Sequence, residues 1–382
     1  MSVDQLSSVR TPETFTPILK KLINSPREFG VEDSYNAFHH LLSPASTTPE
    51  QISSFLTALH LTGVDKKSEI ISTAADVLHF HSVKPTIDGA EDFLVDIVGT
   101  GGDGWNTFNV STTAAIVAAG AGARHGNKAQ TSKSGSADLL KALGCPLVLL
   151  SPIKTLAATP ENPYVSRVLT EPLPRIPFQF LLAPDYHPAL SLVGPIRKIL
   201  PFRTIFNILG PLVNPAKPKG MIVGVAAPWL GPVFAQALKS GGVQRAIVVC
   251  GKEQLDELSC AGETDAWRLD ESGEITHFTL HPNMFGLPTH PLSKVSGGDA
   301  DENASIFKRI LDPATRGDTI HEDLIPILDF ILINAGALLV VANIAKDWKE
   351  GATLARQSIM NGKAWDALIQ FREAGNNAIQ SK

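Results

Sequence analysis

Two stretches of this 382-residue chain carry residue types suited to holding phosphate. Gly99-Thr100-Gly101-Gly102-Asp103-Gly104 directly follows the apolar run Phe93–Val98. A backbone that must turn tightly and present N–H groups to an anion needs glycine there, because a Cβ would block both positive φ and close approach. Asn109-Val110-Ser111-Thr112 then precedes a predicted helix over Thr113–Gly120. Its Asn, Ser and Thr can cap that helix, and the free N–H groups and dipole at its start favour a bound phosphate. A P-loop is excluded, since no Gly-Lys-Ser/Thr follows at the required spacing. Gly99, Gly101 and Gly104 satisfy the letters of the dinucleotide pattern, but the helix opens several residues late and Arg124 stands where an acid is required. Asp103 would repel a pyrophosphate directly; it suits a ribose hydroxyl or a metal-linked water.

Further along lie Arg124-His125-Gly126-Asn127-Lys128 and Ser132-Lys133-Ser134-Gly135-Ser136-Ala137-Asp138. Cations, hydroxyls and glycines in one stretch can bind a second phosphate and a small polar ligand. His125 reads either as a ligand contact or as a structural hydrogen-bonding residue. Ser136 or Ser134 can cap a helix over Ala137–Leu143 that Gly144 ends. Asp256-Glu257 offers paired hard oxygen ligands, and Mg²⁺ typically uses one or two carboxylates plus waters and substrate phosphates. The alternative is a solvated acidic turn after the strand Ala246–Gly251. Arg197 carries a planar fork suited to a carboxylate.

The elements that must position these residues change character along the chain. Residues up to about 85 carry helical periodicity over Ser34–Leu42, Pro49–Leu61 and Lys67–Phe80, with Ser46-Thr47-Thr48 before Pro49 as a helix start. From Phe93 onward strands alternate with helices. The β-branched runs Gly220–Ala226 and Arg245–Gly251 flank a helix at Pro232–Ser240, a βαβ step. Trp267–Leu269 and Ile275–Thr279 read as strands, and Leu324–Asn343, Thr353–Asn361 and Trp365–Gln370 as closing helices. Leu147–Pro177 is Pro-rich and reads as an irregular excursion.

At 43% hydrophobic and 19% charged, the chain has material for a buried core and too little charge for a disordered polymer. A net charge of −5 argues against a protein that wraps nucleic acid. Three scattered cysteines, Cys145, Cys250 and Cys260, form neither a disulfide framework nor a zinc site and fit a reducing compartment. No stretch reads as a membrane span, the longest apolar runs (such as Ala335–Ala342) being of core-helix length, and the N-terminus lacks the apolar core of a secretory signal. The expectation is a cytoplasmic protein.

Taken together, GTGGD, NVST, the Arg-His-Gly-Asn-Lys loop and Ser-Gly-Ser-Ala-Asp before a helix resemble the anthranilate phosphoribosyltransferase family. Ala183-Pro184-Asp185-Tyr186-His187-Pro188-Ala189, Ile196-Arg197-Lys198, the string Arg203–Leu212, Leu255–Ser259 and Asn334-Ala335-Gly336-Ala337 extend the resemblance from about Tyr35 to Leu368. It implies an α/β fold: a small N-terminal helical domain (1–88, completed by helices near 186–200) and a larger α/β domain (89–382, with the excursion 147–177). The central sheet is mostly parallel but mixed, like that of nucleoside phosphorylases and phosphoribosyltransferases, and the substrate cleft is expected between the domains.

The same resemblance implies transfer of phosphoribose from 5-phosphoribosyl 1-pyrophosphate to the amine of anthranilate, with Mg²⁺, in tryptophan biosynthesis. It assigns Gly99, Gly102, Asp103, Asn109, Ser111, Thr112, Arg124 and Ser136 to the phosphoribosyl pyrophosphate. His125, Asn127, His187, Arg197, Gly210 and Pro211 fall to anthranilate, Arg197 facing the carboxylate. Ser111, Asp256 and Glu257 fall to the metal. No acid or base is required, because an aryl amine is already unprotonated at neutral pH; His125 is the candidate for accepting its proton late. The implied partners are the two small-molecule substrates and a second copy of the chain, with no nucleic acid or membrane. Arg124 and Lys128 stand where relatives usually carry Lys and Arg. Trp105 reads as either a gate or a packing residue. The rivals are a pyrimidine-nucleoside phosphorylase, disfavoured by Arg203–Leu212 and the acidic pair, and a nucleic-acid-binding relative, disfavoured by the net negative charge.

Overall fold

The computed structural model describes residues 10–85, 92–129, 135–148, 153–156, 166–169 and 171–380, without the side chains of 127–129, 153–156 and 166–168. The described strands are β1 (Leu94–Gly99), β2 (Arg124–Ala129), β3 (Ile153–Leu156), β4 (Ser166–Leu169), β5 (Phe178–Leu182), β6 (Gly220–Gly224), β7 (Arg245–Gly251), β8 (Thr264–Leu269) and β9 (Ile275–Leu280). The chain divides into two units. The first takes the described residues of Met1–Pro85, Pro152–Glu171 and Ala183–Pro215; the second takes those of Thr86–Ser151, Pro172–Leu182 and Ala216–Lys382.

The first unit is built on helices Pro12–Asn24, Val31–Leu41, Pro49–Thr62 and Ser68–Phe80. Pro49–Thr62 starts where the sequence places it: Thr48 accepts from the Gln51 N–H while Gln51 returns a bond to the Thr48 N–H. Phe15, Phe38 and Phe55 pack in its core with ring centroids 5.6 to 6.0 Å apart, and Phe206 lies edge-on to Phe38 at 6.0 Å. Tyr186 accepts the Val83 N–H through its carbonyl, and His79 Nε2 bonds the Leu212 carbonyl. These ties bring in the whole of 183–215 rather than only the helices near 186–200. The Pro-rich excursion also differs from expectation. β3 and β4 pair antiparallel across it, Ile153 opposite Leu169, so part of it satisfies its backbone in a ladder, and Pro152–Glu171 groups with the helical unit.

The second unit holds a seven-stranded sheet in the order β5-β2-β1-β6-β7-β8-β9. β5 to β7 run parallel, and β8 and β9 add antiparallel, giving the mixed, mostly parallel sheet expected. Helix Ile325–Val341 forms its core, packed on Val110–Gly120 and Trp348–Met360. The segment Glu322–Val341 has the length and composition of a membrane span, contrary to the sequence reading, but most of it is buried within the protein. The chain runs from β1 outward to β2 and later returns to β6 on the other side, so the C-terminal ends of β1 and β6 form a topological switch point. Connections leave such a point in opposite directions and open a crevice where α/β proteins bind ligands.

Candidate active site

Gly99 ends β1 at that crevice, and the Thr100 N–H donates to the Gly224 carbonyl at the end of β6 (2.9 Å). Gly101, Gly102 and Gly104 all take positive φ (69°, 79° and 83°), the conformations for which the sequence supplies glycine. Asp256 and Glu257, on the turn after β7, arrive at the same place. Gly101 N–H donates to Asp256 Oδ2 at 2.6 Å, and Asp256 N–H reaches Asp103 Oδ2 at 3.4 Å. A Cβ on Gly99 would lie 2.3 Å from Asp256 Oδ2. The acidic pair therefore fits against the end of β1 because Gly99 lacks a side chain.

Ser111, in the first turn of helix Val110–Gly120, donates its hydroxyl to Glu257. Glu257 is buried; its burial, then the charge of Asp256, with Asp103 adding less, push its carboxyl well above the usual range against that one opposing hydrogen bond. Trp105 is tied rather than free: its indole N–H donates to the Glu253 carbonyl (3.0 Å) and its backbone N–H to Asp103 Oδ1 (3.1 Å). Asn106 and Phe108 pin the loop's far side to Gly297 and Val295.

Several expected roles change. Asn109 makes no side-chain cap; its Oδ1 accepts instead from the buried Asn303, which also brackets Gly298. Ser136 does not cap either: Gly135 is the N-cap, and Ser136 Oγ accepts from the buried Thr112 hydroxyl at 2.5 Å. Thr112 and Ser136 thus brace two helix starts against each other.

Arg124 and His125 lie at the far end of β2 from the glycine loop. β1 pairs with β2 through Leu94 opposite Arg124 and Val95 opposite His125, at the N-terminal ends of both strands. Five residues at ~3.3 Å each put Arg124 about 16 Å from the Gly99 end. Arg124 forms an ion pair with Asp92, which Arg175 also joins. His125 has a fully buried side chain, stacked on Phe178 at 5.2 Å with its Nε2 3.5 Å from Asp96. Arg124 is not placed to meet a phosphate at the glycine loop, and His125 is not placed to take a proton there. Asn127 lies further along β2, but its side chain is outside the described residues.

His187, Arg197, Gly210 and Pro211 belong to the first unit. Arg197 lies over the Phe206 ring, 5.5 Å from its centroid, and among the described residues its buried Nε has no hydrogen-bond partner; burial lowers its pKa. His187 and Pro211 are buried, and Gly210 opens the 3₁₀ turn Gly210–Val213. Sequence reasoning missed Asn303 and Gly224, and named Asn334 within a family string without giving it a role. A Cβ on Gly224 would meet the Asp256 carbonyl oxygen at 1.5 Å, yet the glycine ends an ordinary apolar strand.

Comparison with known proteins decides the family. Residues 91–365 match the glycosyl transferase family a/b domain, and residues 16–81 its helical bundle domain. The anthranilate phosphoribosyltransferase of Schizosaccharomyces pombe is 41% identical over 365 residues, covering 94% of this chain and 97% of that one. The Saccharomyces cerevisiae anthranilate phosphoribosyltransferase, solved in complex with PRPP and Mg, superposes with a TM-score of 0.82 at 34% identity, covering 96% of this chain and 99% of that one. The same yeast enzyme has been solved with 4-fluoroanthranilate, again at a TM-score of 0.82, 34% identity and the same coverage. The chain belongs to the anthranilate phosphoribosyltransferase family. In this member of the anthranilate phosphoribosyltransferase family, the a/b-domain match encloses Ala183–Pro215, which packs with the helical unit. The helical unit is thus discontinuous in sequence, completed by a segment that returns after the first strands of the sheet.

Proposed function

We propose that this chain transfers the phosphoribosyl group of 5-phosphoribosyl 1-pyrophosphate to the amine of anthranilate, giving N-(5-phosphoribosyl)anthranilate and pyrophosphate in tryptophan biosynthesis. One observation carries the reading: the glycine loop, the start of helix Val110–Gly120 and the acidic pair meet at one strand switch point. Family membership supplies the acceptor.

The carboxylate site fits Mg²⁺. Asp103, Asp256 and Glu257 crowd like charge against a hydroxyl donor, a surplus that a divalent cation relieves. Mg²⁺ typically takes one or two carboxylates and fills the rest of its shell with waters and substrate phosphates. Asp256, Glu257 and Ser111 would hold it, with Asp103 nearby. Bound there, Mg²⁺ supplies positive charge against the pyrophosphate as it leaves.

The protein's share is positioning and charge stabilisation. Backbone N–H groups of the glycine loop and the first turn of Val110–Gly120, with Asn109, Ser111, Thr112 and Ser136, receive the phosphates. The bond from the sugar C1 to the pyrophosphate oxygen breaks with its electron pair going to pyrophosphate. C1, electron-poor, accepts the lone pair of the aryl amine, and the amine proton passes to solvent. Arg197, backed by Phe206, binds the anthranilate carboxylate, with Asn127, His187, Gly210 and Pro211 orienting the ring. The enzyme works in the cytoplasm as a homodimer through its helical domain.

Anthranilate fluorescence, followed with and without 5-phosphoribosyl 1-pyrophosphate and Mg²⁺, tests this directly. Depletion should need both. Asp256→Asn with Glu257→Gln should lower Mg²⁺-dependent turnover by about 100-fold or more, several kcal/mol of transition-state stabilisation, with the circular dichroism spectrum unchanged. Turnover surviving in that variant would remove the metal assignment.

A further inference from the structure

Helix Ile325–Val341 has two polar side chains in seventeen residues, Asp329 and Asn334. Asp329 is accounted for by His290 at 2.8 Å and Arg356 at 3.2 Å. Asn334 is fully buried, and burying an amide is costly unless its hydrogen bonds are made. Two of its three are made to one residue. Asn334 Oδ1 accepts the Leu258 N–H at 3.2 Å, and Asn334 Nδ2 donates to the Leu258 carbonyl at 3.1 Å, with a second bond back to the Phe330 carbonyl at 3.0 Å. A side-chain amide gripping both backbone groups of a single residue fixes that residue's height and rotation together.

Leu258 is the residue after Glu257. From the other side the same turn is stopped by the strand ends, where Cβ atoms on Gly99 and Gly224 would collide with Asp256. We infer that Asn334 is a positioning residue for the acidic pair, holding the turn against the two glycines so that Glu257 meets Ser111 and Asp256 meets the Gly101 N–H. This rests on the reading of Asp256 and Glu257 as cation ligands. Asn334 touches neither substrate nor cation. Its part is to keep both carboxylates at one distance from the glycine loop, as partners behind metal ligands do.

The test uses the full chain and Mn²⁺ as probe, titrated by water-proton relaxation in the presence of 5-phosphoribosyl 1-pyrophosphate. Asn334→Leu, similar in size but lacking both bonds, should weaken Mn²⁺ binding about tenfold, the low end for groups behind metal ligands. Asn334→Asp keeps the acceptor for the Leu258 N–H while losing the donor to its carbonyl, and should weaken binding by less than Asn334→Leu does. The KM for anthranilate should stay at the wild-type value in both. A folded Asn334→Leu or Asn334→Asp that binds Mn²⁺ like wild type overturns the inference, even if its melting temperature falls. Hydrogen exchange on the wild-type chain needs no variant: slow exchange of the Leu258 amide is expected, and fast exchange overturns the inference. Wild-type protein that fails to bind Mn²⁺ would instead sink the cation reading itself, so the two failures are separable.

Discussion

Gly224 shows how closely the acidic turn is fitted. A methyl group there would overlap the Asp256 carbonyl at 1.5 Å, against backbone that has no flexible side chain to yield. The site's specificity for position thus depends on an absent side chain as much as on the carboxylates present. Arg124 is the opposite case, a cation whose chemistry suits phosphate but whose strand register sets it at the far end of β1 and β2, paired with Asp92. Arg124→Ala should leave the KM for 5-phosphoribosyl 1-pyrophosphate within about twofold of wild type, because only lost uniform binding raises KM. Steady-state kinetics check this, and a tenfold rise would restore the phosphate role. Residues in glycine- or hydroxyl-rich runs, such as Gly99, Ser111 and Asp103, were legible in the sequence because the backbone needs those types locally. Gly224, Asn303 and Asn334 were not, since each answers to a residue far away in the chain. Asn334 left one faint signal, an amide in an otherwise apolar helix.

At the scale of elements, strand and helix types were readable wherever periodicity ran unbroken, as in Arg245–Gly251 and Pro49–Thr62. Helix Pro12–Asn24 was missed although Thr11 and Thr14 form a capping box before it, because Pro17 inside the helix interrupts the pattern. β3 and β4 were hidden by the prolines around them. The helical unit also keeps apolar side chains outside: Leu61 at the end of Pro49–Thr62 is 78% exposed, and Ile199 at the end of Leu190–Ile199 is 80% exposed. These two helices pack on each other, so both residues extend one element pair, with Ile23 and Val31 also half open to solvent. Exposed apolar side chains mark an interaction surface only where they are contiguous, and Leu61 and Ile199 stand on two helices that pack together. The proposed homodimer gives them a partner. Wild-type protein should sediment at twice the chain's mass at micromolar concentration, and Leu61→Asp with Ile199→Asp should shift it to the single-chain mass. A wild-type monomer would remove the dimer from the proposal.

At the scale of the whole molecule, the helical unit carries a buried histidine pair that bears on its response to acid. The helical unit buries His39 against His81, Nδ1 to Nε2 at 3.0 Å, with His40 and Arg10 adding positive charge and Tyr35 and Phe80 enclosing the rings. Burial first, then the neighbouring charges, lower His39 to about 3 and His81 to about 4 from an ordinary 6.5. Both are neutral in the folded unit near pH 7. The unfolded chain takes up their protons as pH drops below about 6.5, whereas the folded unit does so only near pH 4 and below, so the unfolded state binds more protons across that window. The pair's contribution to stability is therefore complete well above pH 6.5 and declines as pH falls from there toward 4, by on the order of 2 kcal/mol per histidine at pH 5. No comparable close histidine pair is described in the sheet unit, where His290 and His125 each lie beside an aspartate. Calorimetry between pH 8 and pH 5 should show the melting transition of the helical unit moving down in temperature, and His39→Leu should flatten that slope. A wild-type transition that does not move across the window would mean that the pair is protonated, or open to water, in the folded protein.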